Sequence, residues 1–286
     1  LIVVHDELDL PPGVVRVMHA ARKAGVTSVP LNYRLTAEEA AYIVDDCDAV
    51  AVYADAEFAP LFEQVRPHTP KVKQWLVYGG AAPADMTDVD ALIAAASDAT
   101  PRIDWNGASD LTMIYTSGTT GRPKGAVRSA VGDPDLLRQL IAFVGYLPED
   151  VYLSTGPLYH SGPGGFLSIA HALGNTVVLQ RKFDAEDWLR LVQTHRVTTT
   201  FSAPTPIRLV CQLPGAVKAR YDRSSMQRMI ANAAPWSFAL KEQYMRDFGD
   251  DSLWEVYGST ELGVDTILRP EDQRRKPGSC GRAAPG

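Results

Sequence analysis

The stretch "MIYTSGTTGRPKGAV", Met113 to Val127, decides how the rest of the chain is interpreted. It contains three glycines, one lysine and a cluster of side-chain hydroxyls on Thr116, Ser117, Thr119 and Thr120. Glycine lets backbone N–H groups approach phosphate oxygens closely, and hydroxyls supply further donors. Lys124 adds a positive charge. The stretch therefore predicts a loop that binds phosphate.

Two common phosphate loops do not fit this stretch. A Walker loop needs a second glycine five residues after the first, followed by lysine and then Ser or Thr. Pro123 stands five residues after Gly118, and Lys124 is followed by Gly125. The dinucleotide fingerprint G-x-G-x-x-G needs two glycines one residue apart, and this stretch has no such pair. The predicted phosphate-binding loop is therefore of a type other than these two.

Composition limits the classes of protein that remain. The chain has 286 residues, enough for one large or two ordinary domains with a sizeable core. Hydrophobic residues make up 45% and charged residues 22%, as in ordinary globular proteins. A net charge of −6 argues against a nucleic-acid partner. No apolar run approaches the length of a membrane span.

The cysteines and the chain ends give weaker information. Cys47, Cys211 and Cys280 have neither metal-binding nor disulfide spacing, so we expect a reducing, cytoplasmic setting. The chain starts at Leu1 rather than Met, and we expect that both ends were cut from a longer protein. The sequence therefore leaves open whether the longer protein carries a targeting segment.

Helical and strand patterns alternate along the chain, which predicts an α/β fold of stacked, mostly parallel sheets with flanking helices. Residues 13–25 and 185–195 have helical spacing, and Thr36 with Glu39 predicts a capping box at the start of another helix. In such folds ligands bind where strands end. Five segments of small and polar residues follow predicted strands: residues 116–125, 156–165 (a glycine-rich turn), 201–205, 232–235 and 257–261.

Two of these segments identify a family. "YTSGTTGRPKG" (Tyr115–Gly125) and "YGSTE" (Tyr257–Glu261) resemble, nearly letter for letter, the two most diagnostic motifs of the adenylate-forming superfamily. That superfamily contains acyl-CoA synthetases, adenylation domains of peptide synthetases and firefly luciferase. "PLYHSGPG" and "IANAAPWSFAL" resemble further family segments. The resemblance implies that residues 1–286 form an incomplete large AMP-binding domain, and that the family's mobile C-terminal domain is absent from this chain.

The resemblance also implies roles for individual residues. Tyr257 would stack on adenine, Thr260 would touch the α-phosphate, and Glu261 would hold Mg²⁺. His160 would lie beside the incoming carboxylate and orient it, and Lys124 would contact the β- and γ-phosphates. The remaining nucleotide-binding candidates are Thr116, Ser117, Gly118, Thr119, Thr120, Gly121, Ala233, Ala234, Pro235, Gly258 and Ser259. Asn232 stands where the family often has glycine, and Trp236 is larger than usual there.

The implied activity is ATP-dependent conversion of a carboxylic acid to an acyl adenylate with release of pyrophosphate, followed by transfer to coenzyme A. The co-substrates are ATP and CoA, with Mg²⁺ as cofactor. No acidic residue lies between Pro157 and Phe166, where amino-acid-activating members carry an aspartate. An unpaired buried ammonium is costly, so an acid without an α-amine is expected. Gly162, Gly164 and Gly165 would leave room for a fatty or ring-containing acyl group.

Two alternatives stay open at this point. The chain could be an adenylation domain that loads a carrier protein. It could also be a catalytically inactive nucleotide-binding module, although Lys124, Thr260 and Glu261 are intact. Whether the protein forms a homodimer is also left open.

Overall fold

The computed structural model describes residues 2–5, 20–21, 24–97, 99, 111–116, 121–129, 134–180 and 182–285. The chain divides into two compact units, Leu1–Val131 and Gly132–Gly286. Most of the helix expected over residues 13–25 lies outside the described residues, as do Ser117, Gly118, Thr119 and Thr120 of the phosphate loop.

The first unit contains a five-stranded, all-parallel sheet in the order β2-β1-β3-β4-β5. Its strands are β1 Ile2–His5, β2 Val29–Asn32, β3 Ala51–Asp55, β4 Gln74–Tyr78 and β5 Thr87–Asp88. Its described helices are α1 Ala37–Asp46, α2 Ala59–Val65 and α3 Val89–Ala95, with 3₁₀ turns at Ala56–Phe58 and Arg66–His68. Buried apolar side chains such as Leu31, Val44 and Phe62 form its core. The parallel sheet was predicted from the alternating pattern.

Helix α1 begins as the sequence predicts. The Thr36 hydroxyl accepts from Glu39 N, and the Glu39 carboxylate accepts from Thr36 N at 2.8 Å. That hydrogen bond also holds the pKa of Glu39 below its usual value. The capping box is confirmed.

A two-stranded sheet carries the ends of the phosphate loop. Strand β6, Leu111–Thr116, pairs with β7, Lys124–Ser129, in antiparallel register from Leu111–Ser129 to Thr116–Lys124. A strand leading into the loop was predicted, but the strand that leaves it was not. The loop therefore follows a strand, as predicted, and joins it to the second strand of an antiparallel hairpin.

The second unit contains a seven-stranded sheet in the order β14-β13-β12-β11-β10-β8-β9. The neighbours from β12 to β9 are parallel, and β13 and β14 add an antiparallel edge. The strands are β8 Val151–Ser154, β9 Thr176–Leu179, β10 Thr199–Ser202, β11 Arg228–Ala231, β12 Leu253–Ser259, β13 Gly263–Leu268 and β14 Arg282–Ala283. The helices are α4 Pro134–Val144, α5 Ser161–Ala172, α6 Ala185–His195, α7 Pro204–Gln212, α8 Gly215–Lys218 and α9 Phe238–Phe248, with a 3₁₀ turn at Pro270–Asp272.

Helix α6 contributes the largest fully buried side chain among the described residues. Trp188 is fully buried and lies edge-on to Phe248, with ring centroids 5.8 Å apart. Its indole N–H donates to Thr155 Oγ1 at 2.9 Å, and Thr155 in turn contacts Thr200 at 2.8 Å. The buried polar atoms of these side chains are thus satisfied within the core.

The amino ends of three neighbouring strands meet at a buried ion pair. Asp150 precedes β8, Thr198 precedes β10, and Arg228 opens β11. Arg228 Nη1 lies 2.8 and 3.0 Å from the two Asp150 oxygens, and the Thr198 hydroxyl donates to Asp150 at 2.7 Å. This network joins the amino ends of β8, β10 and β11. These ends form the amino edge of the sheet, opposite the carboxyl edge, where the strands end and where the site is predicted.

Helix α5 takes up only the second part of the glycine-rich turn predicted over residues 156–165, and residues 156–160 form a turn before it. It begins at Ser161 because His160 caps it, and it runs for 12 residues to Ala172. Gly162 lies in its first turn, where a Cβ would overlap the Phe201 ring. The Phe201 ring is also stacked on Phe166, with centroids 5.1 Å apart. Close packing on β10 therefore explains glycine at position 162.

No helix among the described residues reaches the length and apolarity that a membrane span requires.

We predict opposite effects for two substitutions in α5. Gly162→Ala adds a methyl group against Phe201, and such overpacking costs about 1–3 kcal/mol. Gly165→Ala is the control, because nothing lies within 4 Å of its added Cβ and alanine favours the helix by roughly 1 kcal/mol. Urea unfolding of both variants measures the difference. Equal stability would contradict the packing of Gly162 on Phe201.

Candidate functional site

The candidate residues fall into two groups, one in each unit. In the first unit, Lys124 is the first residue of β7 and pairs with Thr116, the last residue of β6. Lys124 is exposed, as an anion-binding lysine must be. Gly121 has φ +101°, a conformation that other residues adopt at a cost. The pairing places one hydroxyl and one ammonium group of the predicted phosphate loop at the same end of the hairpin.

Helix α1 anchors this hairpin through residues that the sequence analysis did not select. The Tyr42 hydroxyl donates to Pro123 O at 3.2 Å, and the Arg122 guanidinium lies 5.1 Å from the Tyr42 ring centre. The Tyr115 hydroxyl donates to Asp46 Oδ2 at 2.6 Å. Burial, and then this hydrogen bond, raise the pKa of Tyr115 well above its usual value. Tyr42 and Asp46 are four residues apart and therefore lie on the same face of α1. That spacing is the sequence feature from which a shared contact could have been predicted.

In the second unit, two of the predicted segments touch each other. Ser161 opens α5 after β8, and Thr260 stands in the turn that follows β12. Their hydroxyl oxygens are 2.9 Å apart, although 99 residues separate them in sequence. The acyl-side segment and the "YGSTE" segment therefore meet at the carboxyl edge of the seven-stranded sheet, as the strand-end argument predicts.

His160 is the N-cap of α5. Its Nδ1 accepts from Gly162 N at 3.4 Å, so in the neutral ring Nε2 carries the proton. The ring is exposed at its edge, but surrounding protein excludes part of the water and lowers the pKa of His160. A neutral imidazole with a free N–H can donate to a carboxylate. This geometry suits orientation of an acid.

Asn232 holds the loop that carries Ala233, Ala234 and Pro235. Its side-chain amide donates to Val256 O on β12, and its side-chain oxygen accepts from Ala233 N. Ala233 has φ +69°, in the left-handed region that costs a non-glycine residue about 1–2 kcal/mol. Asn232 therefore ties β11 to β12 and keeps the strained residue in place. The three loop residues after it are exposed.

Tyr257 and Gly258 lie at an irregularity in β12. The pairing of β12 with β13 shifts between Tyr257 and Gly258. A Cβ on Gly258 would overlap the Gly263 carbonyl, so the strands approach too closely there for any other residue. Tyr257 remains 57% exposed, which leaves its ring face available to a flat ligand. Ser259 accepts from Leu262 N at 3.1 Å and so closes the turn that contains Glu261.

Glu261 is exposed in this turn. Among the described residues no group of three acidic, histidine or cysteine side chains could hold a metal by itself. A single carboxylate fits Mg²⁺ when phosphate oxygens and water complete the coordination. The residues present therefore fit a magnesium ion that arrives with a nucleotide.

Gly162, Gly164 and Gly165 were expected to leave room for an acyl group, but open space is present only at Gly165. A Cβ at Gly162 would overlap Phe201, and one at Gly164 would lie 2.7 Å from Leu158 O. Only the Cβ position of Gly165 has nothing within 4 Å. The expectation that all three leave room for an acyl group is wrong for Gly162 and Gly164, because their hydrogens are packed against protein.

The sequence profile of the AMP-binding enzyme family matches residues 11–286, and the chain belongs to that family. It is 32% identical over 96% of its length to indoleacetate–CoA ligase of Aromatoleum aromaticum. It is 29% identical over 94% of its length to the fatty acid–[acyl-carrier-protein] ligase ScoC of Streptomyces coeruleorubidus. The chain spans 53% and 50% of these two proteins, about half of each.

A solved structure shows the same fold. The N-terminal domain of FACL13 from Mycobacterium tuberculosis has a TM-score of 0.83 and 26% identity, covering 99% of this chain and 68% of its own. The α/β fold of mostly parallel sheets, and its likeness to the N-terminal domain of adenylate-forming enzymes, are confirmed.

We predict that His160 makes stability depend on pH. Its folded pKa is lowered, so the unfolded chain binds a proton first as pH falls below about 6.5. The stability that neutral His160 contributes to the folded protein is therefore fully present above about pH 6.5. It is lost as the pH falls towards the pKa of His160 in the folded protein. In His160→Asn the side-chain oxygen can still accept from Gly162 N but does not titrate. The difference in unfolding free energy between variant and wild type should shift in favour of the variant from pH 8 to pH 5.5. A difference that does not change with pH would contradict this.

Proposed function

We propose that the protein containing this chain activates a carboxylic acid with ATP and then transfers the acyl group to a thiol. One observation carries the proposal: the contact between Ser161 and Thr260 joins the acyl-side segment to the "YGSTE" segment at the carboxyl edge of one sheet. Membership of the AMP-binding enzyme family supports it.

The chemistry has two balanced steps. A carboxylate oxygen attacks the α-phosphorus of ATP, the bond from that phosphorus to the bridging oxygen breaks, and pyrophosphate leaves. The acyl adenylate then reacts at its carbonyl carbon with a thiol sulfur, the thiol proton is lost, and AMP leaves. Because the carboxylate and the phosphates all carry negative charge, the first step needs donors and cations around the phosphates.

Each candidate residue has a physical role in this scheme. Lys124 supplies positive charge to the β- and γ-phosphates, and the Thr260 hydroxyl donates to the α-phosphate. Glu261 binds Mg²⁺, which neutralises phosphate charge when it is present. The exposed Tyr257 ring offers a face on which adenine stacks. His160 donates from Nε2 to the carboxylate and keeps its oxygen aimed at the phosphorus.

The acid is expected to be fatty or ring-containing and to lack an α-amine. The segment from Pro157 to Phe166 has no acidic residue to pair with an ammonium group. Relatives that act on indoleacetate and on fatty acids agree with this class. Coenzyme A is the proposed acceptor. A carrier protein is the second candidate, because one relative is a ligase for an acyl carrier protein.

We predict exchange of labelled pyrophosphate into ATP that depends on a carboxylic acid. The complete protein is incubated with ATP, Mg²⁺ and a panel of fatty, aromatic and ring-containing acids. At least one acid should stimulate exchange, and its α-amino counterpart should compete poorly. Absence of exchange with every acid in a folded protein would refute the proposed activity, and preference for the amino acid would refute the substrate class.

We also predict that Glu261→Gln lowers the exchange rate by about 10²–10³-fold, the cost of removing one group that stabilises charge in a transition state. Glu261 is exposed, so thermal stability should barely change. Glu149→Gln is the matched control, because Glu149 is also exposed but precedes β8 at the amino edge of the same sheet. Equal rates in the two variants would remove Glu261 from the proposed site.

A further inference from the structure

Ser161 lies beside Thr260 but belongs to neither of the diagnostic motifs. Both side chains are half-buried, and their oxygens are within hydrogen-bond distance at 2.9 Å. Ser161 is the first residue of α5, whose start is fixed by the His160 cap and by the packing of Gly162 on Phe201. Thr260 stands in the turn between β12 and β13, which the hydrogen bond from Leu262 N to Ser259 Oγ closes, rather than at the start of a helix.

The direction of this hydrogen bond follows from the role proposed for Thr260. A hydroxyl has one hydrogen to donate and two lone pairs that accept. If Thr260 donates its hydrogen to a phosphate oxygen, it can only accept from Ser161. Ser161 must then be the donor.

We propose that Ser161 is a positioning residue, which donates to Thr260 Oγ1 and so holds the Thr260 hydroxyl in the orientation from which it donates to a bound phosphate. This rests on the proposed function and extends it to a residue outside the diagnostic motifs. A hydroxyl that accepts a hydrogen bond is also a stronger donor, because the two bonds polarise each other. Ser161 therefore couples a rigid helix start to a group on a turn.

The kinetic effect should appear in kcat rather than in KM. Without Ser161 the Thr260 hydroxyl can rotate, and part of the stabilisation is lost as charge builds up on the α-phosphate. A hydrogen bond of ordinary net strength corresponds to a fall in kcat of about three- to tenfold. The KM for ATP should change by less than about twofold, because Ser161→Ala keeps all the groups proposed to bind ATP before the reaction.

The experiment compares four changes in the complete protein. Ser161→Ala removes the donor, and Ser161→Thr retains it and should restore most of kcat. Ser168→Ala is the matched control in the same helix, since the Ser168 hydroxyl donates only to Gly164 O within α5. Thr260→Val removes the acceptor, so adding Ser161→Ala to it should cause no further fall in kcat.

Two measurements decide the outcome. In acid-dependent pyrophosphate exchange, an unchanged or faster Ser161→Ala enzyme, or fully additive effects of the two substitutions, would overturn the proposal. Urea unfolding of the single and double variants measures the coupling between the two hydroxyls without any activity. If even the wild type gives no exchange, the proposed function fails. The unfolding free energies of the single and double variants then test only the hydrogen bond between Ser161 and Thr260. A coupling free energy between the two substitutions supports that hydrogen bond, and additive effects refute it.

Discussion

The ion pair between Arg228 and Asp150 is the interaction on which the second unit depends most. Both side chains are more than nine-tenths buried, and the Asp150 carboxylate also accepts from Thr198 and from Leu147 N. Removing one partner of such a pair costs about 3–5 kcal/mol because the other charge stays buried. The pair fixes where β8, β10 and β11 begin. Helix α5 follows β8 after residues 155–160, and the Asn232 loop directly follows β11.

The two edges of this sheet use polar groups differently. At the amino edge, Asp150 and Arg228 are buried and bonded to each other, and Asp150 also accepts from Thr198. At the carboxyl edge, Tyr257 and Glu261 are exposed, and Ala233 is held in a left-handed conformation. Exposed polar and aromatic groups beside a strained residue add little to stability, and strain of this kind is retained where surrounding bonds enforce it. Asn232 provides that enforcement through two bonds to the backbone.

Local features of the sequence predicted local structure well. The capping box at Thr36, the helix over residues 185–195 and the buried parallel strands depend on neighbouring residues, and all are present. Features that depend on distant partners were missed. Helix α5 was read as a turn because its glycines disfavour helix, and only contact with Phe201 explains Gly162. The strand-end argument predicts that the two segments lie close together, but nothing near either residue pairs Ser161 with Thr260 across 99 residues. The motifs selected candidate residues by resemblance, but could not indicate what holds them.

The hairpin formed by β6 and β7 has a consequence for insertions and deletions in the phosphate loop. Six ladder pairs, from Leu111–Ser129 to Thr116–Lys124, set the spacing of its two strands, and α1 contacts both sides near the loop. Residues inserted or deleted between Thr116 and Gly121 would therefore lengthen or shorten only the connection, because the contacts of Arg122 and Pro123 with Tyr42 are kept. The threonine and the lysine would still face each other across the ladder. A change in the length of this connection therefore leaves the separation of the two groups at its ends unchanged.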